Sequence, residues 1–141
     1  LPFDDNSFDC VVCFQVLEHV IDYKGFLSEI HRVLKGDGKA IISLPFIWPE
    51  HEMPYDYRRL NIGGLGQILD QVGFDVEVNL KVTKGFKAYM QLFQDFIFHS
   101  RLPKFLKYTT IFAVNCLSLI RIKRFQDNRI YLDVFTIFKL A

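Results

Sequence analysis

Between Phe46 and Arg59 the chain gathers Trp48, Glu50, His51, Glu52, Tyr55, Asp56, Tyr57, Arg58 and Arg59 into one polar, aromatic stretch. His51, Tyr55 and Asp56 offer groups that can move protons or share hydrogen bonds, and they are the candidate catalytic residues. Arg58 and Arg59 carry planar forks suited to an acidic group, and with Trp48 and Tyr57 they form a candidate substrate-binding set. Pro49 and Pro54 argue against regular structure here, so the stretch is a loop. The same Tyr and Arg residues could instead fasten the loop through salt bridges, and the sequence leaves both readings open.

A loop must be aimed by the elements around it. Phe8 to Phe14 is a nearly unbroken apolar run bounded by polar residues, which predicts a strand buried on both faces of a parallel sheet. From Tyr23, the spacing of Phe26, Leu27, Ile30, Val33 and Leu34 predicts a helix, with Asp22 as N-cap and Lys35-Gly36 as its stop. Val16 to Val20 is expected as a short helical turn. Gly36-Asp37-Gly38 reads as a turn and Lys39 to Leu44 as a second buried strand closed by Pro45. Strand, helix and strand imply a right-handed parallel crossover. Ligands of such sheets lie beyond the carboxyl ends of the strands, which puts Cys13, Phe14 and Gln15 on the ligand side.

Leu1-Pro2-Phe3, Asn6-Ser7-Phe8-Asp9, Leu17-Glu18-His19, Glu29-Ile30, Arg32-Val33-Leu34-Lys35, Gly38 and Ile42-Ser43-Leu44-Pro45 form an ordered set. Together they closely resemble the second half of class I S-adenosylmethionine-dependent methyltransferases, over roughly the first half of the chain. The resemblance implies an α/β fold: a partial Rossmann-like sheet of strands four, five, seven and six, the last strand antiparallel, with a helical insertion. It implies S-adenosylmethionine as co-substrate, with Cys13, Phe14, Gln15 and His19 flanking its methionine end. His19 could face that pocket or orient the start of the helix, and Glu18 is expected as a helix-end carboxylate. His-x-x-Pro-Tyr-Asp-Tyr-Arg-Arg resembles a substrate-side loop of such enzymes, so the acceptor would be a small molecule, a glycan or a lipid-linked intermediate. The family's glycine-rich turn and ribose-binding acidic residue have no counterpart in the sequence. Gly63-Gly64-Leu65-Gly66 follows no hydrophobic strand and reads as a loop-to-helix or packing feature. The leading part of the domain is therefore expected to be missing, and the fragment alone to be inactive.

Leu60 to Val72 reads as a helix with Leu65, Ile68, Leu69 and Val72 inward and Gly73 closing it. Phe74 to Val82 alternates as a strand with one solvated face, and Ile130 to Leu140 as the closing strand, expected to lie between the fifth and sixth strands. Residues 85–125 form an aromatic-rich insertion broken by Pro103, with a second helix from about Phe105 to Ile120. A cap or dimer surface is one reading of it. An interfacial patch with Lys104, Lys107, Arg121, Lys123 and Arg124 is the other, giving peripheral membrane contact for a lipid-linked substrate.

Hydrophobic residues make up 50 % of the 141 and the net charge is +1, so composition gives no case for a nucleic-acid partner. Cys10-x-x-Cys13 would point to opposite faces of a strand, which opposes a redox or metal motif; no metal is expected, and the three cysteines suggest a reducing, cytoplasmic setting. The apolar edge left by Phe8 to Phe14 predicts a homo-oligomer. A non-catalytic interaction or dimerisation module of the same fold is the rival reading, and a nucleotide-binding dehydrogenase a second.

Overall fold

The computed structural model describes residues 1–119 and 127–141. It divides the chain into two compact units, Leu1–Val82 with Asp133–Ala141, and Thr83–Leu132.

In the first unit, β1 (Phe8–Phe14) leads through a 3-10 turn (Leu17–His19) to α1 (Tyr23–Val33) and β2 (Leu34–Pro45), followed by α2 (Ile62–Val72). The strands β3 (Phe74–Lys84) and β4 (Tyr131–Leu140) begin or end in the second unit. The sheet order is β1-β2-β4-β3. β1 and β2 run parallel, with Cys10 opposite Lys39 and Phe14 opposite Ser43. β4 runs antiparallel to β2, pairing Ile42 with Thr136 and Leu44 with Val134. The expected parallel pairing, strand order and inserted last strand are all present.

One face of this sheet is closed. Ala40, Ile42 and Leu44 of β2 and Val134, Thr136 and Phe138 of β4 are buried, as are Leu27, Ile30 and Val33 of α1 and Leu65 and Leu69 of α2. Each fully buried Leu, Ile or Phe contributes about 1.5–3 kcal/mol of transfer free energy. Phe74 stacks edge-on against Phe138, centroids 4.6 Å apart, and His31 lies 5.3 Å from Phe74. The other face is open along β1 and half-covered along β2 and β4. Val12 is 55 % and Phe14 52 % exposed, so β1 is buried on one side and not on both. Its apolar run reflects two apolar faces, of which one has a covering layer here. β3 departs in the same way: Val78, Leu80 and Val82 are exposed, although the alternation marked them as inward.

Local signals hold at the helix starts. The Asp22 side chain accepts the Gly25 N–H, and Asn61 accepts the Gly64 N–H. Gly73 ends α2 in the left-handed conformation, φ 88°, where a Cβ is disfavoured. The stop of α1 is not the glycine. Leu34 itself turns extended and pairs with Phe8, and the register shift between Phe8 and Cys10 absorbs the Gly36-Asp37-Gly38 excursion within β2. Gly63, Gly64 and Gly66 lie inside α2, at and after the Asn61 cap, and not in a turn that follows a strand.

The second unit is a helical hairpin. α3 (Phe86–His99) and α4 (Lys104–Ser118) run antiparallel, with Gln94 bonded to Asn115 and Lys107 donating to the Phe98 carbonyl. Pro103 occupies the N-cap of α4, the break the sequence predicted. Phe96, Phe105, Tyr108 and Phe112 are exposed. Ile120, Arg121, Lys123, Arg124 and Phe125 lie outside the described residues, so three of the five basic residues of the expected interfacial patch do too; Lys104 and Lys107 are on α4. Among the described residues no helix is long and apolar enough to cross a membrane.

Candidate functional site

β1 and β2 are parallel, so their carboxyl ends, Phe14 and Pro45, open on the same side of the sheet. Two segments rise from there: the 3-10 turn after β1 and the loop 46–61 after β2.

At the end of β1, Gln15 adopts φ 53°, a left-handed conformation that costs a non-glycine residue of order 1 kcal/mol. Its backbone N–H donates to the Ser43 carbonyl at 2.9 Å. Its side-chain amide donates to Ser43 Oγ at 3.2 Å and lies 3.5 Å from Asp133 Oδ1. Burial raises the Asp133 carboxyl above its ordinary range, and the Gln15 hydrogen bond partly opposes this. Phe14 is exposed beside Phe135, ring centroids 6.1 Å apart, while Cys13 faces the covered side with its thiol pushed up to about 11, chiefly by burial. Cys10 is exposed and unpaired, on the face opposite Cys13.

The loop is fastened to the turn at three points. Arg58 donates to the carbonyls of Leu17 (2.6 Å), Val20 and Ile21 (3.0 Å), and its guanidinium sits 4.6 Å from the centre of the Tyr23 ring. The Tyr57 N–H donates to the Glu18 carbonyl at 2.9 Å. His19 Nδ1 bonds the Tyr55 carbonyl at 2.8 Å. A second cluster stiffens the loop internally. Asp56 accepts the His51 N–H at 3.0 Å and takes a two-pronged ion pair from Arg59, which also donates to the Pro49 carbonyl. Arg59, together with burial and the His51 N–H, sets the Asp56 pKa; Arg59 dominates and holds it at about 2.

This arrangement sorts the predicted residues. Arg58 bonds the protein's own carbonyls and Arg59, through its Nη1 and Nη2, bonds Asp56 and two carbonyls, which is the fastening role; Asp56 is held as an anion by Arg59. Trp48 and Tyr57, with Glu50, Asp56, Arg58 and Arg59, line an open cleft of about 240 Å³. Tyr55 is 61 % exposed. His51 and His19 meet edge to face, centroids 5.0 Å apart.

Glu18 is what the sequence reading missed. It stands in the first turn of the 3-10 helix, as expected of a helix-end carboxylate, but it is fully buried, and neither carboxylate oxygen has a hydrogen-bond partner. Its Oε1 lies 3.8 Å from His19 Nε2 and 3.9 Å from His51 Nε2. Burial is the largest influence on its pKa and raises it above the ordinary carboxylate range. The only hint in the sequence was the adjacency of Glu18 and His19, because the second imidazole arrives from a distant loop.

Residues 1–42 match the family model for a methyltransferase domain. A probable S-adenosylmethionine-dependent methyltransferase of Mycolicibacterium smegmatis is 40 % identical over 91 residues, covering 60 % of this chain and 35 % of that protein. The chain spans between 18 and 35 % of the length of the first curated relatives it matches. Among solved structures, the [4+2]-cyclase SpnF superposes with a TM-score of 0.62 at 18 % identity, over the whole chain and 53 % of that protein. Phosphoethanolamine N-methyltransferase 2 of Haemonchus contortus, in complex with S-adenosyl-L-methionine, gives 0.58 at 21 % identity, over 99 % of this chain and 34 % of that one. At these identities the structural likeness establishes the fold.

Proposed function

We propose that this chain, which carries part of a class I S-adenosylmethionine-dependent methyltransferase domain, forms the acceptor side of an enzyme that moves a methyl group from S-adenosylmethionine to a small molecule, a glycan or a lipid-linked acceptor. The observation that carries this reading is the junction at Gln15. A residue in a left-handed conformation ends a strand of a parallel sheet, with the polar loop 46–61 clamped across the turn that follows.

Methyl transfer from a sulfonium is an in-line displacement. The acceptor's lone pair forms the new bond to the methyl carbon, and the carbon–sulfur bond breaks with its electrons passing to sulfur. The donor is already activated, so alignment supplies most of the rate. In this reading Phe14 and Gln15 meet the methionine end of the donor, and Trp48 and Tyr57 receive the acceptor in the cleft. A hydroxyl or amine acceptor must also lose a proton, and the imidazoles of His19 and His51 are the nearby groups fit to help it. Asp56, held as a weakly basic anion by Arg59, orients His51 and does not take the proton.

Calorimetry on the full-length protein tests the reading. Binding of S-adenosylmethionine or its demethylated product, weakened on substitution of Gln15, is expected; no binding of either compound overturns it.

A further inference from the structure

We propose that Glu18, His19 and His51 form a binding site for a divalent transition-metal ion of the Zn²⁺ type. One oxygen of Glu18 and one nitrogen from each imidazole all lie within 4.8 Å of one another. The independent observation is Glu18 itself. Its side chain is wholly shielded from solvent, and both oxygens lack any hydrogen-bond donor. A carboxylate buried that way costs several kcal/mol unless a proton or a cation meets it, and the two imidazole nitrogens beside it are the arrangement that suits a cation.

The surrounding bonds aim the ring nitrogens at the same point. His19 Nδ1 faces the Tyr55 carbonyl, which can only accept, so the proton sits on Nδ1 and the lone pair on Nε2, toward Glu18. His51 Nδ1 faces the Pro49 carbonyl at 3.3 Å and Asp56 Oδ2 at 3.5 Å, two acceptors that favour a proton there as well. Arg59 Nη2 also lies 3.3 Å from that nitrogen, but its N–H groups already serve Asp56 and Pro49. An imidazole bonded through one nitrogen to a carbonyl or carboxylate, with the other left free, is the usual support of a metal-ligating histidine.

The separations of 3.8 and 3.9 Å are too long for hydrogen bonds. A tetrahedral ion with bonds of about 2.1 Å spaces its ligands roughly 3.4 Å apart, so a small inward shift closes the site. Two imidazoles and one carboxylate suit Zn²⁺, Co²⁺ or Fe²⁺ over Mg²⁺ or Ca²⁺, which take oxygen ligands. Glu52 Oε2, 3.9 Å from His19 Nε2 on an exposed side chain, can approach as a fourth ligand or yield to an incoming oxygen. Binding of the ion stands on this geometry alone. Its consequence rests on the methyl-transfer reading above: an acceptor hydroxyl on the ion would lose its proton more readily.

The test is calorimetric titration of the chelator-stripped chain with ZnCl₂, repeated with CoCl₂ while the visible absorption of Co²⁺ is followed. One ion per chain is expected, with Co²⁺ bands typical of low coordination by nitrogen and oxygen. Glu18→Gln and His51→Ala should each weaken binding on the order of 100-fold or more. His99→Ala, in the helical hairpin, and the double variant C10S/C116S should bind as the wild type does. His51 lies on a loop and is partly exposed, so its variant keeps the test valid if Glu18→Gln fails to fold. Absence of stoichiometric uptake by a chain with native circular dichroism overturns the site, as does unchanged affinity in His51→Ala. Because no methyl donor is present in the cell, failure here is separable from failure of donor binding.

Discussion

His19 bonds the Tyr55 carbonyl through Nδ1 at 2.8 Å, and this one contact both fixes the imidazole and hangs the middle of the loop 46–61 on the turn after β1. The Tyr57–Glu18 backbone bond and the Arg58 fork repeat the connection within three residues of it. The turn and the loop therefore behave as one body, although β2 and α1 separate them in the chain.

Arg58→Ala should release that body. It removes charge-assisted hydrogen bonds to three carbonyls at the end of a 3-10 turn, together with the contact on Tyr23. A loss of about 2 kcal/mol in urea unfolding is expected, with faster amide exchange across residues 46–61. Arg58→Lys, a point charge without the fork, should recover less than half of it.

Gln15→Gly separates conformation from chemistry. Glycine takes φ 53° without strain, which offsets the lost side-chain bonds to Ser43 and Asp133, so stability should stay within about 1 kcal/mol of wild type. Affinity for S-adenosylmethionine in the full-length protein should nevertheless fall, as read by calorimetry. A variant that binds the donor normally would show that the Gln15 side chain takes no part.

What was legible in the sequence was local. Asp22 three residues before Gly25, the apolar stripe of α1, Gly73 after α2 and Pro103 before α4 each act through neighbours in the chain, and each does what its type and position imply. The parallel pairing of β1 with β2 followed from the helix between them. Glu18 was not legible, because its burial depends on a loop that returns from beyond β2. Arg58 and Arg59 stay open in the sequence for a related reason: a guanidinium that binds a ligand and one that binds its own backbone look the same there. The open side of β1 escaped because alternation reports which residues share a face and not whether anything lies on it.

Acid should loosen the attachment of residues 1–7 to α1. Glu29 accepts two hydrogen bonds from Arg32, which in turn holds Asp5 at 2.6 Å and the Phe3 carbonyl at 2.8 Å. The Arg32 bonds first, and the Leu1 amino group 2.6 Å from Oε2 second, depress the Glu29 carboxyl from 4.5 to about 2. A folded-state pKa below the unfolded one contributes stability that is complete above about pH 4.5 and lost as pH falls toward 2. Glu29→Gln removes that contribution, so its urea midpoint should be lower than wild type at pH 7 and converge with it near pH 2. Parallel curves across that window would assign Arg32 no role in the attachment.

The two faces of the sheet should differ sharply in what they tolerate. Ile42 is fully buried on β2, opposite Cys13 on one side and Thr136 on the other. Ile42→Ala leaves a cavity with close-packed walls and should cost about 3 kcal/mol. Val12, on the neighbouring strand, points to the open face and is 55 % exposed. Val12→Thr keeps the branched shape that suits a strand and should change stability by no more than about 0.5 kcal/mol. Denaturant midpoints for the two variants, measured at several protein concentrations, decide the matter. A comparable loss in both, growing as the chain is diluted, would mean that the open face is covered in solution by a second copy.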